Sequence, residues 1–323
     1  MKYRPVLQLH PFELPKAELV DLLTDLWNES TSPGLAVSPR HFEFNLNPFT
    51  GMVSEGRLVS IDGVPAGFVL VSAMPGHDLG GETGWIDAIG VLPEYRRQGA
   101  GSLLLRWAED WLLEEGCRWM RLGASPRTFT PGFPVELGEG EFFLRRGFTA
   151  EENSYMWDVA RDLGDDLPIV RNPYPDPNPI RQAAESDREA LLEFLQREFH
   201  GGWLYAFQEF MRIGGSIGDF TILSLDGRVE GFAWTTLETS ARPLDRYHPV
   251  GLPKPWGQLG PIGVSQGVRK HGWGGLVLQA GLEHLRACGV RGCVIDWTGI
   301  IDFYGKYGFL PYRKYLPMVK KLI

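Results

Sequence analysis

Short apolar runs alternate with segments of helical period along this chain, and the same order of elements occurs twice. In the first half, 3–9 predicts a strand. Leu19, Leu22, Leu23 and Leu26 then repeat at helical spacing over 15–27. The runs 57–61 and 65–73 predict two strands, with Asp62-Gly63 between them as a hairpin turn. A strand at 85–91, a helix at 101–115, a strand at 119–122, a short helix at 141–146 and a strand at 154–159 follow. In the second half the spacing predicts a strand at 180–183 and a helix at 187–199, then a hairpin of 220–225 and 229–236 about Asp226-Gly227. A strand at 258–264, a helix at 274–287, a strand at 292–296, a helix at 301–307 and a strand at 316–319 complete it. The stretches 31–49, 74–84 and 237–255 read as loops, the first with about one helical turn. Hairpins interleaved with helices argue for an α/β (α+β) sheet domain in each half.

The two halves match residue by residue. The string IDAIGVLPEYRRQGAG, 86–101, corresponds to LGPIGVSQGVRKHGWG, 259–274, which begins 173 positions later (259 − 86). Val91, Arg96, Gly99 and Gly101 thereby meet Val264, Arg269, Gly272 and Gly274. Gly116 and Arg118 meet Gly289 and Arg291 at the same offset. Phe143, Gly147 and Phe148 meet Tyr304, Gly308 and Phe309 at an offset of 161 (304 − 143), because the first copy carries an extra loop between Ser125 and Gly140. So many matches in register indicate an internal duplication. The expected division is a first domain over 1–166, a proline-rich linker over 167–179 and a second domain over 180–323.

Gly272 and Gly274 sit where a strand turns into a helix, behind Arg269. Lacking side chains, they let the backbone approach a ligand, and the N–H groups that open the helix are unpaired donors, an arrangement that attracts phosphate. Taken with the later strings FYGKYGF (303–309) and FFLRRGF (142–148), each copy resembles a domain of the GNAT acetyltransferase superfamily. The resemblance rests on Arg269-x-x-Gly272-x-Gly274 with Val264 eight positions before Gly272, and on the counterparts about Arg96. It implies two tandem domains, each a mixed, mostly antiparallel central sheet flanked by helices. It also implies transfer of acetyl from acetyl-coenzyme A (acetyl-CoA, released as CoA) to an amine.

For the second half the resemblance implies that the amides of Lys270, His271, Gly272, Trp273 and Gly274 meet the pyrophosphate. The Arg269 side chain is either structural or phosphate-facing. Ile262 and Val264 lie on the strand that would receive the pantetheine arm, with the N–H of Ile262 polarising the acetyl carbonyl. Tyr304 is the expected proton donor to the departing thiolate. Gln258 stands where some members of the superfamily carry a glutamate base, and glutamine cannot serve as one. Gln258, Asp296 and Trp297 are the candidates for the acceptor side, Trp297 standing where asparagine is frequent. In the first half the corresponding cofactor residues are Ile89, Val91, Arg96, Arg97, Gly99, Ala100 and Gly101, while Phe143 replaces the tyrosine. That half either binds the cofactor without turnover or shapes the acceptor pocket of the second. Asp87 is a base candidate or a structural carboxylate.

Charge narrows the partners. The net charge of −8 argues against a general nucleic-acid binder and permits a cationic substrate. The three cysteines, Cys117, Cys288 and Cys293, are too scattered for a disulfide framework or a metal site and are expected to be buried as small apolar residues. The N-terminal sequence lacks a signal-peptide core and no run approaches membrane-spanning length, so a cytoplasmic protein without membrane or nucleic-acid partners is expected. The reading is a tandem N-acetyltransferase acting on a small-molecule or peptide amine, with its chemistry in the second half. A mycothiol synthase-like transferase and a non-catalytic CoA-binding regulatory or scaffold protein are the alternatives.

Overall fold

A computed structural model of the chain describes residues 5–127, 129–138, 140–150, 154–164 and 178–323. Most of the stretch expected as the linker, 167–177, lies outside the described residues. In chain order the elements are β1 (Leu7–Pro11), α1 (Lys16–Ser30), α2 (Pro39–Asn45), β2 (Val53–Ile61), β3 (Val64–Ala73), β4 (Thr83–Val91), α3 (Ala100–Glu114), β5 (Trp119–Leu122), β6 (Phe133–Pro134), α4 (Glu141–Leu144), β7 (Thr149–Ala150) and β8 (Met156–Asp162). They continue with β9 (Ile180–Gln182), α5 (Arg188–Glu198), α6 (Gly202–Arg212), β10 (Phe220–Leu225), β11 (Arg228–Leu237), β12 (Trp256–Val264), α7 (Trp273–Ala287), β13 (Gly292–Thr298), α8 (Ile301–Gly305), β14 (Leu310–Leu316) and β15 (Met318–Lys321).

The chain divides into two compact units: Met1–Met156 with Arg313–Ile323, and Trp157–Tyr312. The first holds the sheet β1-β2-β3-β4-β5-β15-β7. The last strand of the chain is thus part of the first sheet, with Val319 opposite Arg121 on one side and Thr149 on the other. The second unit holds the order β8-β13-β12-β11-β10-β9, in which β8 pairs with β13, Val159 opposite Ile295. Among the described residues both sheets are mixed and mostly antiparallel, with a parallel pair in each: β4 with β5, and β12 with β13.

Strand alternation gives each sheet two apolar faces, and helices cover both. In the first unit Leu104, Leu105, Ala108 and Leu112 of α3 pack with Val69, Val71 and Ile86. On the opposite face Leu23, Trp27 and Phe42 from α1 and α2 pack with Phe68, Leu70 and Ala88. The second unit repeats this. Val277, Leu278, Leu282 and Leu285 of α7 pack with Ala233, Leu259 and Cys293, and α5 and α6 cover Phe220, Phe232 and Trp234 with Leu191, Phe194, Phe207 and Phe210. Cys117 and Cys293 are buried as expected, but Cys288 is exposed: it follows the last turn of α7, past the stripe that faces the sheet.

The duplication extends to backbone details. Arg97 and Lys270 share a positive φ (61° and 67°), as do Ala124 and Trp297 (62° and 51°). Each pair is 173 positions apart (270 − 97, 297 − 124). Each parallel pair also ends early. Register between β4 and β5 stops at Ile86 opposite Leu122, and between β12 and β13 at Gln258 opposite Val294. Just beyond, β4 and β12 each bulge against their antiparallel neighbour, with Asp87 as the extra residue in the first unit and Gly260-Pro261 set against Trp234 in the second. In both units a fork opens in the sheet where the bulge turns the strand.

Candidate active site

At the mouth of each fork the strand turns through a short 3-10 segment into α3 or α7. Arg96 Nε donates to Val91 O at 3.0 Å and Arg269 Nε to Val264 O at 3.3 Å, so both arginines tie the turn back to its strand. Gly99 and Gly272 then take φ of 101° and 87°, a left-handed conformation that favours glycine. Among the described residues the N–H groups of Arg97 to Gly101 and of Lys270 to Gly274 donate to no protein group. Five consecutive free donors at a helix start form a site for an anion. A Cβ at Gly272 or Gly274 would meet nothing within 4 Å, so open space, not packing, lies in front of them. These features fit a pyrophosphate.

In the first unit the turn opens on a cavity of about 930 Å³, lined by Ile89, Val91, Arg96, Arg97, Gly99 and Gly101. Ala100, between the two glycines, is buried instead. Arg146 also lines the cavity. Its guanidinium stacks on Phe142 at 3.8 Å and donates to Ser102 Oγ at 2.6 Å, at the first turn of α3. The sequence reading passed over Arg146. In the second unit the matching position is Tyr307, whose hydroxyl lies 2.0 Å from where a Cβ of Gly275 would stand, so Gly275 makes room for that phenol.

Tyr304, in α8, is 8% exposed, and its ring packs with Phe303 and Phe309. Burial, with a smaller push from Asp296, raises its pKa to about 12, so the hydroxyl is protonated at neutral pH. It makes no hydrogen bond among the described residues and is free to donate. Gln258 and Asp296 span the fork, Gln258 Nε2 donating to Asp296 Oδ1 at 2.7 Å. Gly260 has φ +147°, and a Cβ there would stand 3.1 Å from that amide nitrogen and 3.6 Å from Asp296 Oδ1. Trp297 follows Asp296 with positive φ, its N–H held by the buried Asp158 Oδ1 at 3.0 Å. Gln258 and Asp296 therefore meet at the fork, and Tyr304 lies near enough to Asp296 to feel its charge. Ile262, Val264 and Trp273 are half-buried, and Arg269, Lys270, His271 and Gly272 are exposed at the turn.

The first unit fills the same place differently. Asp87, 2% exposed, accepts from Ser72 Oγ at 3.1 Å and from Ser125 Oγ, while its Oδ2 has no partner among the described residues. Burial raises its pKa to about 6, against the lowering effect of Arg127 and the two serines. Phe143, at the position of Tyr304, is packed into the core.

A mixed sheet with a forked parallel pair, a free-amide turn at its mouth, and all of it twice defines a tandem GNAT fold. Residues 18–127 match the model of the acetyltransferase (GNAT) family. The glucosamine N-acetyltransferase region of a fungal multi-domain GH3 β-N-acetylglucosaminidase superposes with a TM-score of 0.86 at 21% identity, over 98% of this chain and 38% of that one. A tandem GNAT protein from the clavulanic acid biosynthesis pathway covers 98% of this chain and 99% of its own, at TM-score 0.69 and 17% identity. In sequence, mycothiol acetyltransferase of Nocardia farcinica is 32% identical over 88 residues, which is 26% of this chain and 25% of that protein. The chain thus spans about a quarter of that relative and well under half of the fungal chain. Among the described residues no helix is long and apolar enough to cross a membrane.

Proposed function

We propose that the protein is an acetyl-CoA-dependent N-acetyltransferase whose transfer step takes place in the second unit. The observation that carries this reading is Tyr304, a protonated hydroxyl without a hydrogen-bond partner among the described residues, near Asp296 of the fork in a unit that also holds a free-amide cradle. Acetyl-CoA, when bound, supplies an acetyl group on a thioester with a thiol as its leaving group. Lys270 to Gly274 would hold the pyrophosphate, and the strand about Ile262 and Val264 the arm that follows it. The Tyr304 hydroxyl gives its proton to the sulfur as the carbon–sulfur bond breaks and the amine nitrogen bonds to the acetyl carbon. The amine proton leaves to solvent, since Gln258 occupies the fork where a carboxylate base would serve. By the same chemistry the first unit, with its cavity and Phe143, binds the cofactor.

The acceptor is a small primary amine. Glucosamine is the first to test, because the fungal region of similar fold is described as a glucosamine N-acetyltransferase. The match to mycothiol acetyltransferase covers 26% of this chain and does not by itself carry that acceptor over. A second reading places transfer in the first unit, where Asp87 Oδ2 is buried without a partner and could take the amine proton. The test is thiol release from acetyl-CoA with glucosamine, putrescine and a lysine peptide, with the N-acetyl product identified by mass spectrometry. Release that depends on an amine supports an enzyme; binding of CoA with no release from any amine contradicts it and leaves a CoA-binding scaffold.

A further inference from the structure

In the second unit a buried cation makes no ion pair with a carboxylate among the described residues, although Asp296 and Asp219 lie near enough to act on its charge. Arg242, between β11 and β12, is 7% exposed. Its guanidinium lies 3.9 Å from the Trp234 ring centre and 5.4 Å from that of Tyr247. Among the described residues its hydrogen bonds go to Thr236 Oγ1 at 2.9 Å and, weakly, to Gln258 Oε1 at 3.4 Å, and its Nε has no partner. Burial pulls its pKa down to about 10, which leaves it charged at neutral pH. Burying a charge this way costs several kcal/mol unless other groups offset it. The aromatic faces offset part of that cost.

The arginine fixes the orientation of one amide. Gln258 Oε1 accepts from Thr236 Oγ1 at 2.8 Å and faces the guanidinium. Its nitrogen must then point the other way, where it donates to Gly260 O at 2.9 Å and to Asp296 Oδ1 at 2.7 Å. One carboxylate oxygen of Asp296 is thereby held, and the other accepts no hydrogen bond among the described residues. Asp296 is half-buried at the fork and close enough to Tyr304 to raise its pKa. A carboxylate with one oxygen anchored and one free, beside the proton donor, is a receptor for a cation. A glutamine that could flip would offer that cation its amide nitrogen instead, and Arg242 prevents this.

We propose that Asp296 receives the ammonium group of the acceptor amine, and that Arg242 is a positioning residue that sets Asp296 through Gln258. The acceptors are then amines that carry a positive charge at neutral pH and lose one proton to solvent before the nitrogen attacks the acetyl carbon. This rests on the second unit as the seat of transfer.

The test uses the full chain, acetyl-CoA and whichever of glucosamine, putrescine and a lysine peptide the parent acetylates fastest. Asp296→Asn should raise KM for the amine at least tenfold and leave KM for acetyl-CoA within twofold. Calorimetry with the CoA-saturated protein should show amine binding weakened by the same factor. Arg242→Met should raise the amine KM threefold to tenfold with a smaller change in kcat. Gln258→Met, which leaves Arg242 in place, should do the same and carries the test if Arg242→Met does not fold. An amine KM and affinity within twofold of the parent in Asp296→Asn overturns the receptor assignment. Parallel losses in both KM values and in thermal stability for Arg242→Met, with Gln258→Met unchanged, overturn the positioning role. If the parent acetylates no amine, the proposed function itself fails, and this assignment falls with it.

Discussion

In the first unit the ring at the head of the FFLRRGF string, Phe143, packs against Phe133, Phe142 and Phe148 and carries no polar atom. In the second unit Tyr304 holds the same place with a hydroxyl that makes no hydrogen bond among the described residues. At the bulge the contrast reverses, the first unit holding the buried carboxylate of Asp87 and the second Gly260-Pro261. At the helix start the first unit brings in Arg146 where the second has Tyr307. The two cradles themselves keep the same φ angles, the same arginine tie and the same run of free amides. What survives duplication here is the part built from backbone, because any sequence that permits the turn preserves it. The part built from side chains has diverged, leaving one unit with a buried tyrosine hydroxyl and the other with a buried carboxylate and an extra cation.

The largest expected effect lies at the ring position. General acid assistance contributes a factor of roughly 100 to 10,000, so Tyr304→Phe should lower kcat by that order with little change in CoA affinity. Phe143→Tyr added to that variant should not restore turnover. A kcat within about threefold of the parent, where chemistry limits the rate, would make Tyr304 a packing residue like Phe143.

The buried carboxylate sharpens the comparison through stability. The folded-state pKa of Asp87, about 6, lies above its ordinary value of 3.8. Folding is therefore favoured by this group below about pH 4, and that contribution is lost as pH rises through about 6. The shift corresponds to about 3 kcal/mol at neutral pH. Asp87→Asn should flatten the stability–pH curve across that window, read by urea unfolding at pH 4 to 8. An unchanged slope would show that Asp87 is not ionised against its surroundings as described.

The smallest effect concerns the first cradle. Arg146→Ala should weaken CoA binding there by about threefold to tenfold, on the scale of one charge-assisted contact, when calorimetry is done in a Gly272→Glu background. Equal affinity with and without Arg146 would remove it from the cofactor site.

Strand–helix order and the two glycine turns were legible in the sequence because both are local. Strands 119–122 and 220–225 lie where the pattern put them, and the helix read at 274–287 is α7, Trp273–Ala287. The assignment of β15 to the first sheet and β8 to the second was not legible, since an apolar strand does not specify which sheet it joins. Helix α6 was missed although Trp203, Phe207, Phe210 and Met211 carry a helical stripe, and the stretch 39–45 forms a full helix where about one turn was expected. The strand β14 was also passed over, its apolar positions broken by Arg313 and Lys314. At the fork, Gln258, Asp296 and Tyr304 could be named through the resemblance to the GNAT superfamily, but Arg242 could not. It sits in a stretch read as loop, and its meaning comes from contacts with Thr236 and Gln258 that only the fold creates.

If transfer takes place in the second unit, only one of the two like cradles is needed for turnover. Glutamate at the left-handed glycine blocks a cradle by bulk and by charge, so Gly272→Glu and Gly99→Glu should be compared for amine-dependent thiol release, with folding checked by circular dichroism. Turnover should vanish in Gly272→Glu and persist at more than half the parent rate in Gly99→Glu. The opposite pattern, with turnover lost in Gly99→Glu and kept in Gly272→Glu, would place the reaction in the first unit and contradict this account.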